Sequence, residues 1–75
     1  MKTSKKRLVV CLKNPGYDAS LERRKIYQTL ADARAAKHGL IRVIDESGED
    51  YLYPQSFFAP IELPQTLRRA VIAAV

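Results

Sequence analysis

Short runs of apolar and β-branched residues, separated by polar turn signals, recur along most of the chain, a pattern typical of β-strands. The clearest case is residues 40–54, LIRVIDESGEDYLYP, where two runs rich in β-branched and aromatic residues flank an acidic turn. Gly48 can take the positive φ that such a turn requires. The segment therefore predicts a β-hairpin, with one strand at Leu40–Ile44 and the next at Asp50–Tyr53.

Three further runs predict strands at Arg7–Lys13, Lys25–Leu30 and Phe57–Leu63. The first run ends at Asn14-Pro15-Gly16, a strong turn signal. The polar stretch Tyr17–Arg24 lacks clean periodicity, so we expect a long loop there. Pro60 cannot donate a ladder hydrogen bond, which is expected to confine the last strand to a sheet edge.

Two other stretches favour helix. Asp32–His38 begins with a good N-cap and is followed by Gly39, which suits the left-handed position after a helix. Pro64 is favoured in a first helical turn and is predicted to open a helix over residues 64–75. The apolar residues of that helix form one stripe, at Leu67, Ala70, Val71, Ala74 and Val75. This stripe is expected to pack on the strands; the alternative is pairing with a second copy.

Together these elements predict a mainly β fold, a small five-stranded barrel with a short helical insert and a C-terminal helix. Closure into a barrel would remove the exposed edges of so small a sheet. A chain of 75 residues allows one domain. We expect a flexible basic N-terminus over residues 1–6, the barrel over 7–63 and the packed helix over 64–75.

Charge is distributed unevenly along the chain. The net charge is +5, but residues 1–37 hold ten Lys/Arg and three Asp/Glu, a net of +7, and residues 38–75 have a net of −2. Such asymmetry is typical either of a basic face for an acidic partner or of a solvated basic tail. Basic loops beside Tyr17 and Tyr27 would also suit phosphate contacts and base stacking, so RNA or DNA binding is the alternative function.

The residues that could carry chemistry do not form a recognisable site. Cys11 is the only cysteine and is expected in the core, and with His38 it cannot supply the four ligands of a structural zinc site. His38 has no partners spaced for a catalytic triad. The acidic run 45–50 has Gly48 at position 4, whereas a calcium loop needs glycine at position 6, so a solvated turn is expected. We predict a chain that is not an enzyme and uses no metal or cofactor.

Membrane insertion and secretion are not expected either. No apolar run approaches the roughly 18 residues that span a bilayer. The apolar segment after the basic start, Leu8–Leu12, is too short for a signal peptide. A cytoplasmic location is therefore predicted.

The second half of the chain resembles the end of a Src-homology-3 domain, through residues 42–49, 53–58 and 60–63. In that family a strand, an acidic hairpin and a second strand lead to a Pro-x-x-aromatic single turn and a last short strand. Pro54 and Phe57 match that turn. The resemblance implies that residues 14–24 form the family's long RT loop and that residues 31–39 replace its n-Src loop. Small bacterial proteins with such barrels are more similar to this chain than eukaryotic signalling domains are.

The chain also departs from the family. It contains no tryptophan, and its first strand lacks the aromatic residues of the proline-peptide groove. The resemblance therefore implies the fold rather than binding of Pro-x-x-Pro ligands. We predict a module that recognises a protein or peptide, with an acidic ligand favoured, through the face between the first long loop and the insert. The expected contact residues are Tyr17, Arg23, Arg24, Arg34, Tyr53, Pro54 and Phe57. The acidic hairpin is expected at the opposite end of the barrel from the basic loops.

Overall fold

The computed structural model describes residues 7–74 and, within the last helix, the side chains of residues 65–67, 69 and 70. The predicted N-terminal segment 1–6 lies outside the described residues. The elements are β1 (Arg7–Cys11), β2 (Ile26–Leu30), α1 (Ala33–Ala36), β3 (Leu40–Ile44), β4 (Asp50–Pro54), a 3-10 turn (Gln55–Phe57), β5 (Phe58–Ile61) and α2 (Gln65–Ala74).

The five strands form one antiparallel sheet in the order β4-β3-β2-β1-β5. The mainly β class and the five predicted strands are therefore confirmed. In the described part of the chain β4 and β5 do not pair with each other, so the sheet is not closed by hydrogen bonds. Closure into a barrel stays a prediction.

The core lies on one face of the sheet and is completed by the first long loop, residues 12–25. Leu21 of this loop is fully buried together with Cys11 and Val43. The whole cluster comprises Val9, Cys11, Leu21, Tyr27, Val43, Tyr53, Phe57 and Phe58. A loop residue thus fills the same core as all five strands, which fixes the loop against the sheet.

The strand boundaries differ from the predicted ones mainly where proline intervenes. The predicted start of the last strand at Phe57 is wrong, because Gln55–Phe57 forms a 3-10 turn in which the Phe58 N–H donates to the Gln55 carbonyl. Pro54, at φ −59°, leads the chain into this turn. The Pro-x-x-aromatic single turn expected at Pro54 and Phe57 is thus present.

The helical insert forms as predicted, because Asp32 caps it. Its Oδ1 accepts a hydrogen bond from the Ala35 N–H at 2.9 Å, and Gly39 ends the segment at φ +72°. The Oδ2 of Asp32 accepts from Arg42 Nε at 2.9 Å, and Arg42 Nη1 also donates to Asp50 Oδ2 at 2.9 Å. Arg42, in the middle of β3, therefore links the insert on one side to the first residue of β4 on the other.

Helix α2 begins one residue after the predicted Pro64. All of its described side chains are exposed, and the stripe residue Leu67 is 52% exposed. Packing of the whole stripe on the sheet stays a prediction, since Val71, Ala74 and Val75 lie outside the described side chains. Within residues 7–74, no helix is both long and apolar enough to cross a membrane.

The double role of Asp32 predicts a graded loss of stability. Asp32→Ala removes both the cap and the ion pair, whereas Asp32→Asn keeps a side chain that caps well but cannot pair with Arg42. We expect the midpoint of urea unfolding, followed by circular dichroism, to fall from wild type to Asp32→Asn and further to Asp32→Ala. Equal midpoints for the two variants would show that the cap contributes nothing.

Candidate partner-binding surface

Aromatic side chains meet where the first long loop crosses the sheet. The Tyr17 ring stands edge-on to Tyr53, with centroids 5.0 Å apart, and contacts Phe57 at 6.0 Å. Tyr53 and Phe57 are buried, whereas Tyr17 is 41% exposed. Edge-to-face packing of this kind is favourable and holds a ring in one orientation. Tyr17 is therefore an accessible aromatic ring on a buried aromatic support.

A buried carboxylate of the acidic turn, that of Asp45, holds the supporting residue Tyr53 in place. Asp45 is 6% exposed; its Oδ2 accepts from the Tyr53 hydroxyl, and its Oδ1 accepts from the Ser47 N–H at 2.9 Å and from the Ser47 hydroxyl. Burial raises the pKa of Asp45, but the hydrogen bonds from Ser47 and Tyr53 outweigh burial and leave that pKa below its usual value. The expectation of a fully solvated acidic turn is wrong for this residue, because its carboxylate is buried. The hydrogen bond that it accepts orients Tyr53.

A second carboxylate ties the turn to the first long loop. Glu46 accepts from Lys25 Nζ at 2.7 Å and from the Tyr27 hydroxyl, and its own N–H donates to the Ser20 carbonyl at 3.0 Å. The Lys25 hydrogen bond, followed by that from Tyr27, lowers the pKa of Glu46. We call Glu46, Lys25, Tyr27 and Ser20 the Glu46 cluster.

The Glu46 cluster corrects one expectation from the sequence. The acidic turn was expected at the opposite end of the fold from the basic loops. That arrangement is wrong for the first long loop, because the antiparallel register brings the start of β2 beside the end of β3. Lys25 therefore reaches Glu46, and part of the basic charge of the loop is neutralised there.

Other basic residues of the first long loop remain exposed around the end of β1. Arg24 donates its N–H to the Cys11 carbonyl at 2.7 Å, and Lys13 donates its N–H to the Phe57 carbonyl at 3.2 Å. Within residues 7–74, no carboxylate lies within ion-pair distance of Lys13, Arg23 or Arg24. We call Leu12, Lys13, Tyr17, Arg23 and Arg24 the Tyr17 surface. The sequence did not predict that Leu12 belongs to it, but its side chain is 51% exposed.

Arg24 has an unusual backbone. Its φ is +71°, and among the described residues it is the one non-glycine with positive φ. The left-handed conformation costs an ordinary side chain roughly 1–2 kcal/mol. Such outliers are common where a side chain must be held in a particular direction for function.

The insert lies at the other end of β2. Arg24 precedes β2 at Ile26, and the insert with Arg34 follows β2 at Leu30, so the two groups are separated by about 13 Å along the strand. Pro54 lies at the insert end, where the Gln55 N–H donates to the Gly39 carbonyl at 2.8 Å. The structure thus groups Tyr17 with Tyr53 and Phe57, and places Arg34 on a separate part of the surface.

A groove, which the sequence did not predict, lies at this insert end. Two open cavities of about 570 and 550 Å³ share the wall residues Arg7, Thr29, Ile41 and Gln55. One extends toward Ala33 and Ala36 of α1, and the other toward Pro60 and Leu63 beside β5. Its walls combine apolar side chains with polar ones, among them Arg7, Thr29 and Gln55.

The side chains considered for catalysis or metal binding have structural roles instead. Cys11 is fully buried, and burial raises the pKa of its thiol, so its predicted place in the core is confirmed. The remaining acidic side chains of the turn have partners too: Glu49 accepts from the Tyr51 hydroxyl, and Asp50 pairs with Arg42. Within the described residues, no group of three or more His, Cys, Asp or Glu side chains is arranged to hold a metal ion.

Comparison with protein-family models, with curated proteins and with solved structures finds no match to this chain.

The Asp45–Tyr53 hydrogen bond predicts a pH-dependent contribution to stability. Tyr53→Phe leaves Oδ2 of a buried carboxylate without its donor, a change that costs about 1–3 kcal/mol. Because the pKa of Asp45 is lowered by folding, its contribution is present above the unfolded pKa of about 4 and is lost as the pH falls through the folded pKa. Urea unfolding should show a large loss for Tyr53→Phe at pH 7 and a shallower dependence on acid than wild type.

Tyr51→Phe is the matched control, since the Tyr51 hydroxyl bonds Glu49 at the surface. It should leave the free energy of unfolding nearly unchanged both at pH 7 and at acid pH. Equal losses for Tyr51→Phe and Tyr53→Phe would contradict the role assigned to Asp45.

Proposed function

We propose that this chain is a non-enzymatic recognition module that binds an acidic segment of a protein or peptide on the Tyr17 surface. The observation that carries the proposal is the exposed Tyr17 ring, held on Tyr53 and Phe57, together with cations of the same loop that have no carboxylate at ion-pair distance within residues 7–74. A rigid aromatic ring loses little conformational entropy on binding, and flanking arginines pair well with carboxylates.

The roles of the predicted contact residues differ with their burial. Tyr53 and Phe57 are buried, and in the proposal they support Tyr17 without contacting the ligand. Tyr17, Arg23 and Arg24 make the contacts. Pro54 and Arg34 lie toward the insert, so a ligand that reaches both ends must span about 13 Å, or roughly four extended residues.

The proposed fold is a Src-homology-3-like barrel. Its support is the order of elements in the second half, in which β3, the acidic turn, β4, the 3-10 turn and β5 follow one another. The Tyr17 surface differs from a proline-peptide groove in offering one exposed aromatic ring in a loop that also carries Lys13, Arg23 and Arg24. We therefore propose a ligand selected by negative charge together with one apolar side chain.

Selection from a library of random linear peptides tests this proposal. We expect the selected peptides to be rich in Asp and Glu, and we expect Tyr17→Ala and Arg23→Glu each to weaken binding about tenfold or more, a loss of about 1.4 kcal/mol. Arg69→Glu reverses one exposed charge on α2 and is the matched control, which should bind as wild type does. Fluorescence anisotropy of a labelled selected peptide measures the affinities. Peptides that bind Tyr17→Ala as tightly as wild type would exclude this surface.

Arg24→Gly separates loss of a contact from loss of the fold. Glycine relieves the strain of the positive φ, so urea unfolding should show unchanged or slightly higher stability. Peptide binding should nevertheless weaken, because the guanidinium is removed. A variant that is at least as stable and binds the peptide unchanged would show that Arg24 has no part in recognition.

The nucleic-acid alternative makes a different prediction, because phosphate contacts release bound counterions. If the exposed cations bind phosphates, affinity for a random single-stranded oligonucleotide should fall steeply between about 50 and 200 mM salt. Our proposal expects weak binding even at the lower salt, since Lys25 is already paired with Glu46. Tight, salt-sensitive oligonucleotide binding that Arg23→Glu abolishes would favour the alternative.

A further inference from the structure

The two edges of the sheet are unlike. On β5, the edge residue Pro60 has no N–H to offer to a further strand. On β4 the one proline, Pro54, is the last residue of the strand, and no bulge or covering strand lies on the outer side of residues 50–53 in the described part of the chain. Natural proteins usually protect such an edge, and an unprotected one is a template for strand addition. We propose that β4 pairs antiparallel with β4 of a second copy, about a two-fold axis at Leu52.

The hydrogen-bond pattern of the hairpin shows which backbone groups are available. The Asp45 N–H donates to the Glu49 carbonyl at 3.1 Å. Bonded and non-bonded pairs alternate along an antiparallel ladder, so Val43 pairs with Tyr51 through hydrogen bonds and Arg42 lies opposite Leu52 without them. The N–H and C=O of Leu52 therefore point away from β3, toward the open edge.

A second copy completes this edge symmetrically. With the axis at Leu52, each Leu52 N–H donates to the Leu52 carbonyl of the other copy, and each Asp50 N–H donates to the Pro54 carbonyl of the other copy. Pro54 needs no acceptor, since it has no N–H. This arrangement satisfies every outward N–H of β4 that the edge leaves open.

The exposed side chains of β4 suit the same register. Leu52 and Tyr51 are 40% and 50% exposed. Across the axis, Leu52 meets its own copy on one face of the sheet. On the opposite face Tyr51 lies opposite Tyr53 of the other copy, whose side chain is already buried in its own core. An aliphatic cross-strand pair such as Leu52 with Leu52 stabilises antiparallel strands.

Charge selects this register over its alternatives. The axis at Leu52 places Asp50 opposite Pro54 of the other copy and puts the two acidic turns at opposite ends of the interface. An axis at Asp50 would oppose two carboxylates, as would parallel pairing of the strands, and like charges directly opposite each other are destabilising. The occupant that fits the edge is therefore a second copy in antiparallel orientation.

Cysteine cross-linking tests the register directly. In a bonded antiparallel pair the two Cα atoms lie about 5.5 Å apart, within the range that a disulfide spans. We expect Leu52→Cys to form a covalent dimer rapidly under mild oxidation. Glu49→Cys is the matched exposed control; its two copies would lie about 20 Å apart, so it should cross-link far more slowly. Buried Cys11 is present in both variants and need not be removed. Equal rates for the two variants would overturn the proposal.

Sedimentation of the otherwise unaltered chain gives an independent measurement. Wild type should shift from monomer toward dimer as its concentration is raised into the millimolar range, and Leu52→Lys should stay monomeric because two ammonium groups would meet at the axis. Circular dichroism establishes whether Leu52→Lys is folded; should it not be, Leu52→Thr, which introduces a β-branched strand former, should also weaken association. A wild-type monomer at every concentration, or a dimer unaffected by a folded Leu52 variant, would contradict the pairing.

Discussion

The carboxylate of Glu46 joins the first long loop and the start of β2 to the acidic turn, just beyond the last paired residues of β2 and β3. It holds Lys25 and the Tyr27 hydroxyl, while the Glu46 backbone donates to Ser20. These bonds hold the first long loop against the acidic turn, and Leu21 can then fill the core. The remainder of the candidate surface depends on this attachment, because Tyr17 packs on Tyr53 only when the loop follows this path.

Local chemistry was enough to predict most of the elements. Strand β3 has its predicted bounds, Asp32 caps the insert, and Gly39 and Gly48 take positive φ where turns require it. Each of these features is decided by a few neighbouring residues, which is why the sequence reveals them. The boundary at Phe57 was missed because Phe57 and Phe58 form one apolar pair in the sequence, although Phe57 ends the 3-10 turn and Phe58 begins the strand.

Contacts between residues far apart in the chain could not be predicted from the sequence. The run 45–50 reads as a solvated acidic turn, and nothing local indicates that Asp45 is buried or that Glu46 bonds residues some twenty positions earlier. The candidate surface was therefore predicted in part. Tyr17, Arg23 and Arg24 lie at the end of the sheet where the loop is attached. Arg34 does not, because the segments before and after β2 lie at opposite ends of that strand. The predicted order of elements already implied this separation, which the prediction of one shared face overlooked.

The pairing of β1 with β5 has a consequence for how the chain is made. Leu8 lies opposite Ile61, so the first strand and the last are neighbours although 53 positions separate them. During synthesis β1 can pair with β2 early, but one side of it remains without a partner until residues 58–61 have left the ribosome. Until then the nascent chain presents an apolar strand with an open edge, the kind of surface that associates with other chains or recruits chaperones. Rapid completion of translation thus protects this fold, and pauses between β2 and β5 prolong its most vulnerable state.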